Sequence, residues 1–124
     1  MKIRVYYEDT DTAGVVYHSN YINFCERARS EAFFERGLKP FTDNGQFVAT
    51  KIVADFLVST RLGDMLEVKT ELVEMKRVSF VLFQTIYKDE KLVFKMQITM
   101  AYITFDGKLQ KLDDYIKELI LSLF

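Results

Sequence analysis

Across residues 47–105 four successive runs of sequence read as strands, the first two alternating apolar and polar side chains, and one long stretch with helical spacing precedes them. A chain patterned this way buries its apolar surface by laying the single helix across one face of an antiparallel sheet, an α+β architecture. The helix reading rests on Tyr21, Phe24, Cys25, Ala28 and Ala32, while Asn23, Glu26, Arg27, Ser30 and Glu31 fall largely on the other side. Ser19 or Asn20 suits its N-cap, and Gly37 suits the left-handed residue that ends it. A first strand is predicted over residues 2–8, where Ile3, Val5 and Tyr7 alternate. Four more are predicted over 47–58, 66–72, 78–87 and 92–105, with a loop over 40–45 and a polar turn over 88–91. Ile116, Leu119, Ile120 and Leu123, after Asp113 and Asp114, give a short C-terminal helix. The run 78–87 is apolar on both sides, so its second face is expected to meet another copy of the chain.

A length of 124 residues is that of one domain, 1–124, with a single core. The 17 basic and 18 acidic residues leave a net charge of -1, which offers no broad positive field, so a nucleic-acid partner is not expected. One cysteine forms no internal disulfide, and Met1-Lys2-Ile3-Arg4 lacks the apolar stretch of a signal peptide. No window approaches the roughly 20 consecutive apolar residues of a spanning helix. A soluble, cytoplasmic protein is the expectation.

The chemistry is concentrated in Tyr7-Glu8-Asp9-Thr10-Asp11-Thr12-Ala13-Gly14 and the following Val15-Val16-Tyr17-His18-Ser19-Asn20-Tyr21, which hold three acidic side chains, a glycine and the one histidine. A turn entering a helix start can hold a carboxylate near the helix's free N–H groups. Asp11 can deprotonate a water or attack a carbonyl itself; taken alone, it reads first as a turn or capping aspartate. His18 can act through its ring or cap the helix. Tyr7 is either core or a phenol that orients Asp11. Glu8 and Asp9 read as solvated charges or turn formers. Cys25 shares a helix face with His18 but lies about 10 Å along the axis, which rules against a Cys-His pair. One histidine and one cysteine make no usual zinc site.

The run VYYEDTDTAGVVYHSNYINFCERAR, residues 5–29, resembles the signature of hotdog-fold acyl-CoA thioesterases of the 4-hydroxybenzoyl-CoA thioesterase type, especially their Tol-Pal-associated, YbgC-like branch. Residues 74–80, EMKRVSF, resemble a second segment of that family. Where the family usually has Asp-Ala-Gly-Gly or Asp-Pro-Ala-Gly, this chain has Asp11-Thr12-Ala13-Gly14. The resemblance implies a hotdog fold, a five-stranded antiparallel sheet packed around the long helix, and hydrolysis of acyl-CoA thioesters, aliphatic rather than aromatic, without metal or cofactor. It assigns the catalytic carboxylate to Asp11 and carbonyl polarisation to the backbone N–H near His18, and it includes the His18 ring and Tyr7. Coenzyme A calls for cations at the surface. Lys76, Arg77 and Ser79 match the second family segment, and Arg61 is a weaker candidate. Sites in this family form at subunit interfaces, which implies a homodimer or tetramer, with Phe24, Phe47 and Phe56 as candidate acyl-chain contacts. A second reading is a scaffold that binds acyl-CoA, acyl carrier protein or an envelope-complex partner with little turnover.

Overall fold

A computed structural model describes all 124 residues, Met1–Phe124, as one six-stranded antiparallel sheet and two α-helices. The strands are β1 (Lys2–Arg4), β2 (Phe41–Thr42), β3 (Gly45–Phe56), β4 (Met65–Met75), β5 (Ser79–Lys88) and β6 (Lys91–Ile103), in the spatial order β1-β4-β5-β6-β3-β2. Helix α1 (His18–Phe34) and helix α2 (Asp114–Leu123) complete the fold. The α+β reading holds. The sixth strand is β2, a two-residue arm that pairs with Gly45 and Gln46 inside the predicted 40–45 loop and is too short to show a period.

Helix α1 lies on the inner face of the sheet, where Phe80, Leu82, Gln84 and Ile86 of β5 point toward it. The wholly buried Gln84 amide donates to the Cys25 carbonyl at 3.0 Å and to Thr70 Oγ1 at 2.9 Å, and accepts from Arg29 Nη1 at 2.8 Å. A buried amide is tolerable only with its groups paired in this way. Helix α2 is capped by Asp113, whose carboxylate accepts from the Ile116 N–H at 2.9 Å.

Two boundaries differ from expectation. Strand β1 stops at Arg4 because Tyr7–Asp9 forms a short 3-10 turn, in which the Asp9 carboxylate accepts the Tyr6 N–H at 2.8 Å. Helix α1 begins at His18, two residues before the predicted start, and its N-cap, Tyr17, supplies no side-chain bond. The second face of β5 is partly covered within the chain itself. Val81 and Thr85 there are already buried, and they lie between polar neighbours such as Lys95, Gln97 and Thr99. Exposed apolar side chains on and just after β3 include Ile52, Val53, Phe56 and Leu57. Beyond Gln46, β3 has β6 on one side and no strand on the other.

Candidate active site

The turn carrying Asp11 is fixed chiefly by main-chain bonds. Asp11 N–H donates to the Val15 carbonyl at 2.9 Å, Gly14 N–H to the Asp11 carbonyl at 3.0 Å, and Val16 N–H to the Thr60 carbonyl at 2.8 Å. The Asp11 carboxylate accepts from the Ala13 N–H at 2.8 Å and the Val15 N–H at 3.4 Å. Gly14 sits at φ +80°, where a side chain would be strained. The single glycine of the motif therefore stands where the turn requires one. Asp9 anchors the turn to the helix: its carbonyl accepts the Tyr17 N–H and the Asn20 side-chain amide, each at 2.9 Å. Its side chain is buried, so it is a turn former and not a solvated charge.

Asp11 and His18 line one cleft of about 280 Å³ together with Val15, Tyr21, Phe56 and Ser59. The first backbone N–H groups of α1, those of His18 and Ser19, have no hydrogen-bond acceptor within the chain. Such groups carry the positive end of the helix dipole and are suited to an oxygen that gains charge. The His18 ring is exposed, 4.3 Å from the Tyr17 ring and 6.0 Å edge-on from Phe56. The floor of the cleft is aromatic. Tyr21 stacks on Phe94 at 5.3 Å, with its hydroxyl 2.7 Å from Thr60 Oγ1.

The remaining candidates are placed unevenly. Tyr7 is 82% exposed and outside the cleft, because the 3-10 turn rotates it away from the strand face on which the alternation put it. Of the three phenylalanines, Phe56 lines the cleft; Phe24 is buried core, and Phe47 packs on Phe33, Phe80 and Tyr102 elsewhere. Lys76, Arg77 and Ser79 lie where β4 turns into β5, about 35 Å along β4 from the end that adjoins the Asp11 turn. Arg61 is the nearer cation: it bridges to Val15, and its Nη1 lies 3.8 Å from where a Gly14 Cβ would be. Beside it, burial pulls the Asp64 carboxyl upward, but the Arg61 N–H bond and the Lys88 ammonium outweigh it and hold the group below the usual carboxylate range. A larger concavity of about 510 Å³, lined by Lys2, Glu67, Lys69, Asp89 and Glu90 among others, contains none of the candidates. Tyr21 reads from the sequence as helix core, and Ser59, which the sequence does not single out, becomes visible only once the sheet brings the end of β3 to the start of α1.

Cys25 takes no part. Burial pushes its thiol up to about 12, against a smaller opposing effect of the Arg29 charge. The folded protein is therefore expected to give no reaction with a disulfide reagent at pH 8, and one equivalent after unfolding. Fast labelling of the native protein would contradict this burial.

The model of the thioesterase superfamily matches residues 13–95. The chain belongs to the thioesterase superfamily. Over 87 residues it is 53% identical to the acyl-CoA thioesterase YbgC of Helicobacter pylori, a match covering 70% of this chain and 65% of that protein, so just under two thirds of that relative is spanned. It is 36% identical over 115 residues to the acyl-CoA thioesterase YbgC of Haemophilus influenzae, covering 87% and 82% of the two chains. Among solved structures, a probable thioesterase from Bartonella henselae superposes with a TM-score of 0.85 at 28% identity, covering 91% of this chain and 97% of that one. A hypothetical protein from Aquifex aeolicus gives 0.89 at 24% identity, with 97% of each chain covered, and speaks for the fold alone.

Proposed function

We propose that this superfamily member hydrolyses acyl-CoA thioesters, with aliphatic acyl groups preferred, to a free acid and coenzyme A. The observation that carries the reading is the cleft that holds Asp11 beside the unpaired N–H groups at the start of α1. With the thioester oxygen on the His18 N–H, Asp11 takes a proton from water as its oxygen attacks the carbonyl carbon. The C–S bond then breaks, and the departing thiolate receives a proton from the Asp11 carboxyl or the His18 ring. In the alternative route the Asp11 carboxylate attacks the carbonyl carbon, the C–S bond breaks and the thiolate leaves to take a proton from solvent. Water then opens the mixed anhydride to the free acid and Asp11. Label from ¹⁸O-water enters the Asp11 carboxyl in a single turnover by the second route when water attacks the Asp11 carbonyl of the anhydride, and never by the first. The 53% identity to a protein named an acyl-CoA thioesterase supports the substrate class.

Two copies pairing through the free edge of β3 would cover Ile52, Val53 and Phe56 and extend the sheet across a two-fold axis. Lys76, Arg77 and Ser79 lie too far along their own chain to serve its Asp11, so their proposed role with coenzyme A phosphates calls for a second copy. Sedimentation at micromolar concentration is expected to find a dimer or tetramer, and a stable monomer would overturn this assembly. Release of free thiol from short, long and aromatic acyl-CoAs tests the activity. No release from any of them would move the assignment to a scaffold that binds acyl-CoA or acyl carrier protein.

A further inference from the structure

A second cavity, of about 170 Å³, opens between the later turns of α1 and the inner face of the sheet. Its walls are mainly apolar, with Phe33, Phe47, Phe80 and Met100 among them, and Arg29 is the one cation that lines it. Arg29 lies eleven residues after His18, about 17 Å along the helix, so within one chain this cavity is separate from the Asp11 cleft.

The Arg29 guanidinium is half-buried and forms no ion pair. Its one side-chain hydrogen bond goes to neutral Gln84, whose amide nitrogen is already engaged by the Cys25 carbonyl and Thr70. The chain's two ion pairs are Lys88 with Asp64 and Lys108 with Asp106, and no carboxylate lies within 4.0 Å of Arg29. Glu26 also lines the cavity, exposed to solvent, with its carboxylate accepting the Ser30 hydroxyl at 2.7 Å. Burial pulls the Arg29 pKa down, against smaller effects of Cys25 and Glu26. A cation beside apolar walls is costly until an anion joins it. The guanidinium has five N–H donors in a fork that fits a carboxylate, and one is used. An apolar cavity of about 150 Å³ is large enough for benzene.

We propose that this cavity binds a small monocarboxylate whose apolar part has about six carbons, with the carboxylate on Arg29 and the tail among the phenylalanines. Acids released by thioester hydrolysis belong to this class, but the site does not depend on turnover. The test is calorimetric titration of the wild type with hexanoate and benzoate, against 1-hexanol and benzyl alcohol as uncharged matches. Saturable binding of the acids, at least tenfold tighter than of the alcohols, is expected. It should be lost in Arg29→Met and also in Ser30→Trp, which obstructs the mouth from the helix surface and leaves Arg29 and Gln84 in place. The second variant decides the matter if the first fails to fold, as circular dichroism would reveal. Asp11→Asn should bind the acids as the wild type does, which keeps the outcome separate from that of the thioesterase reading. Absence of acid binding, equal binding of acids and alcohols, or unchanged binding in the folded variants would overturn the proposal.

Discussion

Asp11→Asn is expected to lower kcat for acyl-CoA hydrolysis by about 10²- to 10⁴-fold, the range typical of removing a positioned general base. Asparagine keeps the oxygen that accepts the Ala13 and Val15 N–H groups, so the turn should stay as it is. What disappears is the negative charge, and with it the capacity to take a proton from water or to attack a carbonyl. Affinity for a non-hydrolysable acyl-CoA analogue should hardly change, because binding does not require the base. Thiol release and analogue binding, measured on both proteins with their melting temperatures, form the check. Equal turnover by the two proteins would remove Asp11 from the chemistry.

The largest loss of stability is expected from Phe94→Ala, at about 3 to 5 kcal/mol. Phe94 is 0% exposed, its ring lies 5.3 Å from that of Tyr21 and 5.2 Å from that of Phe56, and on β6 it sits level with Phe56 of β3 and Ile86 of β5. Truncation empties the space directly beneath the cleft, between two strands and a helix whose main chains are committed to other bonds and cannot close over it. Since a domain of this size is stable by only about 5 to 15 kcal/mol, urea unfolding should show a large drop in midpoint. A drop below about 1 kcal/mol would mean that the floor is not packed as described.

The long elements were readable because each repeats its pattern often enough to outweigh accidents. β3, β4, β5, β6 and α1 lie close to their predicted spans. The errors fall where one pattern fits two conformations. Ile3, Val5 and Tyr7 alternate, yet the Asp9 carboxylate draws the chain into a turn after Tyr6, a side-chain effect that periodicity does not register. The early start of α1 is hidden in the sequence because Tyr17 caps it without a side-chain bond, whereas Ser19 and Asn20, the residues suited to a cap, already lie inside the helix. Asp11 and His18 were legible because the same short stretch carries both. Ser59 belongs to the same cleft but lies about forty residues later, and only the topology of the sheet brings it there, beside the candidate Phe56.

The main-chain anchoring of the Asp11 turn bears on how such a protein can diversify. Carbonyls and N–H groups at Asp9, Asp11, Val15 and Thr60 hold the turn in place, and these are common to every residue type except proline. Side chains at Val15, Leu57 and Ser59 face the cleft without being needed to shape the loop. Those side chains can be exchanged, and the lining of the cleft altered, while the carboxylate and the helix start stay in register.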